Sequence, residues 1–445
     1  MLLSFFGLII GLGLLIFLTM RGINIIVAAI VCAAVVAASG GLGLEEAMST
    51  HYMDGFTGFF KSWFLTFLLG AVFGKVMEDT QAAKAIADWV RRKLGAGRAV
   101  FAVVAACAIM TYGGVSVFIV AFSVYPIAVA LFKEADLPHR FIPAALVFGS
   151  ITFTMTSPGS PEIQNLIPTQ FFGTTPGAGG WIGVAMALLL MVSGGLYLSR
   201  AVAKAVKNGE GFGYTYDPKS AGSANEEVAA TAAEAAETKL PPILLAIAPL
   251  VLVVTALNLL SSYISTTSAV LIALLIGIFA GLVLMNKYAR HYWAMFAKGT
   301  ENALIATANT CAVVGFGAVA AKVPAFSAIV DMLVGLEGLE YVSLGLSVTL
   351  IAAITGSASG GLGIALPILA PIYMSQGLDP GAMHRISALA SGALDSLPHN
   401  GYIVTTVRAV CHETHQRAYR PIFVLSVVIP FAVLCLAIVL YMMFT

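Results

Sequence analysis

The sequence predicts an all-α polytopic membrane protein made of two inverted repeats, and three observations carry that expectation. Of its 445 residues 59% are apolar and 10% charged, against roughly 25% charged in an ordinary soluble domain. Apolar runs long enough to cross a bilayer, about 20 residues each, recur along the whole chain. Two segments, Thr111 to Arg140 and Gly356 to Arg385, match at a constant offset of 245 residues. Pro126 then falls on Pro371, Ile119 on Ile364, and His139-Arg140 on His384-Arg385, the only two His-Arg dipeptides.

The runs that can cross lie at about 3–20, 22–40, 61–79, 140–172 (broken), 181–200, 241–262, 267–286, 299–320, 385–411 (broken) and 421–444. The first has no basic residue ahead of it, so it reads as a retained membrane helix rather than a secretory leader. Between the crossings, 99–132 and 342–375 are too long for one helix and too short for two full crossings. Each has a glycine cluster at its middle, Tyr112-Gly113-Gly114 and Ser357-Ala358-Ser359-Gly360-Gly361. A re-entrant hairpin fits that length, provided that its tip is buried in protein or lines a wet cavity.

Ten crossings place 19 of the 23 Lys and Arg residues in one set of loops, leaving Lys322 and Arg385 opposite and Lys61 and Lys75 within the third span. The positive-inside rule makes the basic set cytoplasmic and puts both termini outside. The matched segments then face opposite ways. The organisation is a repeat over 1–206, a polar cytoplasmic linker over 207–240 and an inverted repeat over 241–445. Gln81 to Lys93, with Ala85, Ile86, Trp89 and Val90 among Lys84, Arg91, Arg92 and Lys93, reads as an amphipathic helix on the cytoplasmic surface. Phe326 to Leu333 is its outer counterpart.

Composition also excludes. A net charge of +1 provides no basic footprint for nucleic acid. The five cysteines are odd in number, with no close pair, and read as packing residues. No phosphate-binding loop, dinucleotide fingerprint or nucleophile elbow occurs, so neither an ATP-driven pump nor an enzyme is expected, and no cofactor or metal. His412-Glu413-Thr414-His415 lacks zinc spacing and reads as a solvated helix end. The two His-Arg pairs read as interfacial anchors.

The chemistry is expected at the two broken crossings, Thr152 to Pro161 and Gly392 to Gly401. Proline removes a donor and forces the helix open at Pro158 and Pro398. An opened helix at mid-membrane presents N–H groups at the positive end of its second half, where an anion binds without a buried cation. The expected binding residues are Gly113, Gly114, Ser116, Thr156, Ser157, Gly159, Ser160, Ser357, Ser359, Gly360, Ser396, His399, Asn400 and Gly401. Glu162, Asp395 and His399 fall at membrane depth, where charge is expensive, and are the expected proton carriers. Glu162 has a second reading, as the cap of the half-helix that starts near Pro161.

The hairpin around Tyr112-Gly113-Gly114, the break Thr156-Ser157-Pro158-Gly159-Ser160-Pro161, the tip Gly356 to Gly363 and the break Ser396-Leu397-Pro398-His399-Asn400-Gly401 resemble the gluconate permease (GntP) family of the ion-transporter superfamily. The resemblance spans essentially the whole chain. It implies a bacterial inner-membrane proton symporter for gluconate or a related hydroxy acid, working as a homodimer. Where gluconate-type members place an acidic residue beside the tip tyrosine, this chain has Gly113, which brings 3-hydroxybutyrate into consideration. The expected partners are a small organic anion and the lipid bilayer. A sodium-coupled carboxylate symporter and a cation/proton antiporter are the alternatives.

Overall fold

The computed structural model describes residues 2–21, 23–94, 98–212, 240–289, 291–334, 338–398 and 400–445. His399 and residues 213–239 of the expected linker lie outside the described residues. Every regular element among the described residues is helical. The first half runs α1 (Leu2–Met20), α2 (Ile25–Gly40), α3 (Leu44–Asp79), α4 (Ala82–Leu94), α5 (Ala99–Tyr112), α6 (Val117–Glu134), α7 (Ile142–Ile151), α8 (Phe153–Thr156), α9 (Ile163–Phe172) and α10 (Gly180–Lys207). The second runs α11 (Ile243–Leu260), α12 (Thr266–Leu284), α13 (Tyr292–Ala320), α14 (Pro324–Val334), α15 (Glu340–Thr355), α16 (Ala358–Ser375), α17 (Pro380–Ser391), α18 (Gly401–Val404) and α19 (His415–Phe444). Both halves follow one order: two helices, a long helix, a short amphipathic one, a hairpin, a broken crossing and a last long helix.

Among the described residues nine helices are long and apolar enough to cross a membrane. They differ from the ten expected crossings because the two broken ones are divided among short helices and α2 is 16 residues long, whereas the second arms of both hairpins, α6 and α16, qualify. The first arms are short. α5, of 14 residues, spans about 21 Å at 1.5 Å per residue, less than the ~30 Å hydrocarbon core.

α3 and α13 pack along their lengths and form the backbone of the fold. A Cβ on Gly55 would stand 2.5 Å from Ala318 Cβ, and one on Gly299 2.9 Å from Val72 Cα. Small residues let the two helices approach where lipid provides no hydrophobic drive for association. α4 forms as expected, but its apolar face (Ala82, Ala85, Ile86, Val90) is buried against α5, α6 and α11. It is a packed helix of the bundle, with its apolar stripe taken up by protein neighbours.

The hairpins and broken crossings interlock. α9 packs on α16 and α17, and α6 packs on the π-helical turn Thr405–Val410 that continues α18. Each half's broken crossing therefore lies against the other half's hairpin.

Candidate functional site

The hairpin tips close through residues in the left-handed region, Gly114 at φ +91 and Gly356 at φ +60, which glycine adopts without a steric penalty. The offset of 245 maps Gly114 onto Ser359, so the second tip turns three residues earlier than expected. Ser359, Gly360 and Gly361 consequently form the first turn of α16 rather than a loop. Ser357 caps that turn, its hydroxyl accepting from Gly360 N–H at 3.1 Å. Ser116, at the start of α6, makes no capping hydrogen bond, so the start of α6 has no side-chain cap.

Helix breaks free backbone carbonyls, and at membrane depth each needs a donor. In the first break Thr156 carbonyl accepts from Arg385 Nη1, Pro158 carbonyl from the Tyr112 hydroxyl at 2.7 Å, Gly159 carbonyl from Asn258 at 3.0 Å and Ser160 carbonyl from Asn165 at 2.9 Å. In the second, the Asn400 amide donates to the carbonyls of Asp395 at 3.2 Å and Gly356 at 3.1 Å. Ser396 carbonyl accepts from Tyr419 at 2.9 Å. The Asn400 side-chain oxygen accepts from Ile403 N–H at 3.0 Å, capping α18. One side chain thus ties the second hairpin tip to the second break.

This demand for donors overturns the reading of His384-Arg385 as an interfacial anchor. Arg385 is fully buried and, besides Thr156, serves Ala178 carbonyl at 2.8 Å and Pro176 carbonyl at 3.3 Å. A guanidinium brings five donors in a planar fork, which suits a cluster of orphaned carbonyls. His384 meets the Thr174 hydroxyl at 2.6 Å and Asn165 at 3.2 Å. His139 is buried too, with Glu413 at 2.9 Å and Tyr125 at 3.2 Å. The solvated helix end expected at His412 to His415 therefore contains a buried carboxylate, Glu413, 6% exposed.

A cavity of about 770 Å³ lies between the tips, the breaks and the α3–α13 pair, within the usual range for a small-molecule site. Of the residues expected to bind substrate, Gly114, Ser116, Ser357, Ser359, Asn400 and Gly401 line it, as do both expected proton carriers described, Glu162 and Asp395. Glu162 occupies the cap position of α9 but makes no capping bond.

The other candidates lie behind this wall. Gly113 faces Leu250, and Gly159 faces Asn258 and Tyr112. Thr156 hydroxyl donates to Thr152 carbonyl at 3.2 Å, and Ser157 hydroxyl to Phe153 carbonyl. Ser160 hydroxyl accepts from Glu162 N–H at 3.3 Å. Gly360 is consumed by its bond to Ser357, and Ser396 hydroxyl donates to the Asp395 carboxylate at 2.8 Å. These residues shape the breaks and orient Asp395.

Sequence reasoning missed the opposite wall: Thr66, Lys75 and Glu78 of α3, with Asn302, Asn309 and Thr310 of α13. Lys75 is held by Asp79 at 2.8 Å and Glu78 at 3.3 Å. The available signal was Asn302 and Asn309, seven residues apart and so on one face of an apolar crossing.

The model of the GntP family permease matches residues 3–396 of the chain. The chain belongs to the GntP permease family. An uncharacterized transporter of Bacillus subtilis, YxjC, is 36% identical over 461 aligned residues, covering 94% of this chain and 95% of that protein. An uncharacterized transporter of Haemophilus influenzae is 26% identical over 357 residues, 79% of this chain and 78% of that one. In fold, this GntP-family chain is similar to Neisseria gonorrhoeae MtrF, of a class of antimetabolite efflux pumps, with a TM-score of 0.51 at 15% identity, covering 89% and 84% of the two chains. It is also similar to the Alcanivorax borkumensis YdaH transporter, with a TM-score of 0.50 at 18% identity, covering 89% and 87%. The GntP-family chain is a multi-pass membrane transporter.

Proposed function

We propose that this permease is a secondary active symporter that takes up a small organic carboxylate, gluconate or another hydroxy acid such as 3-hydroxybutyrate, together with protons. Its setting is the bacterial inner membrane, as a homodimer of inverted repeats with both termini outside. The substrate lies in the cavity between the two hairpin tips and the two breaks. Its carboxylate meets the uncapped start of α6 at Ser116, where the helix dipole is positive, with Ser359 and Asn400 lining the cavity beside it. The hairpins and broken crossings move against α3 and α13 to alternate access.

One observation carries proton over sodium coupling. Transporters that hold sodium at a helix break do so with unwound backbone carbonyls. Here the carbonyls of Thr156, Pro158, Gly159, Ser160, Asp395 and Ser396 are all engaged by protein donors, and the Arg385 charge stands among those of the first break. A cation is repelled there, while two carboxyls, Glu162 and Asp395, open on the cavity to carry protons.

Reconstituted protein, tested with labelled gluconate, 3-hydroxybutyrate, citrate and glycerate under separately imposed pH and sodium gradients, checks this reading. Accumulation under an inward proton gradient without sodium is expected. Accumulation that needs sodium contradicts it, and proton-for-cation exchange without any organic acid makes the protein an antiporter.

A further inference from the structure

Most hydroxyls in the helices of this protein are satisfied by the carbonyl one turn back, as with Thr152, Thr154 and Thr307 at 2.6 to 2.7 Å. Three that converge from different elements are not. The hydroxyls of Ser150 on α7, Tyr402 on α18 and Thr406 in the following π-helical turn are buried without a well-formed hydrogen bond, and Tyr402 faces both of the others. Buried hydroxyls of this kind are where internal water is held. The turn Thr405–Val410 is itself π-helical, a rare geometry that concentrates at functional sites.

The cluster lies between two features already described. At one end Tyr402 lines the cavity that Asp395 and Glu162 also line. At the other, Cys411 lies near both Tyr402 and Glu413, and the chain folds back so that Glu413 N–H donates to Val407 carbonyl at 2.8 Å. Glu413 then meets His139 at 2.9 Å and His139 meets Tyr125 at 3.2 Å. Arg417 lies 3.8 Å from the second Glu413 oxygen, 40% exposed, and the His412 ring is 6.5 Å from that of Tyr125. Groups able to accept and donate a proton therefore stand at both ends of this stretch, the hydroxyls beside the cavity and the Glu413–His139 pair at the basic end, with the Cys411 thiol between them.

We propose that Tyr402, Ser150, Thr406, Glu413 and His139 form a proton relay that carries the coupled proton between the cavity and the basic face of the protein by a route separate from that of the substrate. The inference rests on the proton-symport reading above. Each hydroxyl accepts a proton on an oxygen lone pair and passes its own proton onward, so no charge is left behind in the apolar interior. The Glu413–His139 pair takes the proton last and gives it to solvent beside Arg417. The Tyr402 ring packs edge-on against Phe118 at 5.5 Å, and Phe118 belongs to the first hairpin. Displacement of that hairpin during alternation moves Tyr402, so the relay is continuous in one state and interrupted in the other. Without such gating it would leak protons.

The test uses the full chain in proteoliposomes with a trapped pH indicator and labelled gluconate and 3-hydroxybutyrate. Two assays are compared in wild type, Thr406→Val, Ser150→Ala and Glu413→Gln: uptake driven by a pH gradient, with the accompanying proton influx, and substrate exchange at equal pH. Exchange within about twofold of wild type, with driven uptake and proton influx lowered at least tenfold, is the expected result. Unchanged driven uptake in all three variants overturns the relay. Equal loss of both assays also overturns it, since that marks a purely structural cluster. A wild type that moves neither acid with protons overturns the symport reading itself and this inference with it, and is recognised before any variant is made.

Discussion

Arg385 Nη2 donates to Ala178 carbonyl at 2.8 Å across 207 residues of sequence, joining the start of the second broken crossing to the loop that follows the first. The same guanidinium holds Thr156 carbonyl inside the first break. Its counterpart at the offset of 245, Arg140, is 23% exposed and pairs instead with Glu210 at 2.7 Å. Matched positions in the two halves thus do unlike work.

Replacement of these two arginines is expected to diverge sharply. Arg385→Ala takes a donor from the buried Thr156 and Pro176 carbonyls and from the half-buried Ala178 carbonyl, at about 1–3 kcal/mol for each buried group left unsatisfied, and Arg385→Lys restores little because a point ammonium lacks the planar fork. Arg140→Ala breaks one half-buried, two-bond pair with Glu210 and costs about 1 kcal/mol. Thermal unfolding in detergent checks both. Equal melting shifts for the two alanine variants would refute the clamp.

Asn400 is expected to act through its amide as well as its oxygen. Asn400→Ala removes the α18 cap, about 0.5–2 kcal/mol, and strips a donor from Gly356 and Asp395 carbonyls. Asn400→Asp keeps an accepting oxygen for Ile403 N–H but turns a second oxygen on those two carbonyls. Both should raise KM on the order of ten-fold, about 1.4 kcal/mol. Wild-type KM in the aspartate variant would mean that the link from tip to break does not position the site.

How much of this was legible in the sequence depended on what each feature rests upon. Apolar runs, Pro158, Pro398 and the glycine tips are local signals, and the helices, breaks and first hairpin stand where those signals put them, while the second tip turns three residues early, at Gly356. Arg385 and Glu413 were misread because their partners, Thr156 and His139, are 229 and 274 residues away, and charge in an interfacial position looks solvated until the chain folds over it. Ser157, Ser160 and Ser396 were rightly placed in the breaks. Their hydroxyls nevertheless bond within the break, Ser157 and Ser160 to its backbone and Ser396 to the Asp395 carboxylate. The α3–α13 wall escaped notice because its few polar residues are scattered unevenly through long apolar helices.

The tether formed by Arg140 and Glu210 has a defined pH range. The hydrogen bond from Arg140 holds the Glu210 carboxyl below its ordinary range. A carboxyl with a depressed folded pKa contributes stability that is present above its unfolded pKa, about 4.3, and is lost as pH falls through the folded value. The difference in melting temperature between wild type and Glu210→Gln should stay constant from about pH 8 to about pH 5 and vanish only under stronger acid. A difference that disappears near neutrality would contradict the pairing.

Two glycines, Gly361 between the arms of the second hairpin and Gly401 on the cavity, should separate packing from contact with substrate. A Cβ on Gly361 would stand 2.6 Å from Ala352 Cα, a backbone atom that cannot yield, whereas Gly401 has nothing within 4 Å. Gly361→Ala therefore forces α15 and α16 apart, a strain of about 1–3 kcal/mol, while Gly401→Ala leaves the melting temperature in place and narrows the cavity. A lower melting temperature in the first variant, and a raised KM with normal melting in the second, are expected. Equal stability of both would show that the hairpin arms are looser than the geometry requires.

Asp395 and Glu162 open on one cavity from opposite breaks, and burial at membrane depth favours whichever carboxyl form is neutral. In the proposed symport such a carboxyl exchanges a proton when the cavity changes sides, and that exchange links uptake to the pH gradient. Asp395→Asn keeps an oxygen to accept from Ser396, now at 2.8 Å from the carboxylate, yet can no longer release a proton. Its uptake should lose at least tenfold of the stimulation by external acid, and Glu162→Gln should lose part of it if two protons move and none if one does. Measuring initial uptake from about pH 5.5 to pH 8, across the range where such carboxyls exchange, decides among these outcomes. A full wild-type profile in both variants would rule out coupling through either carboxyl.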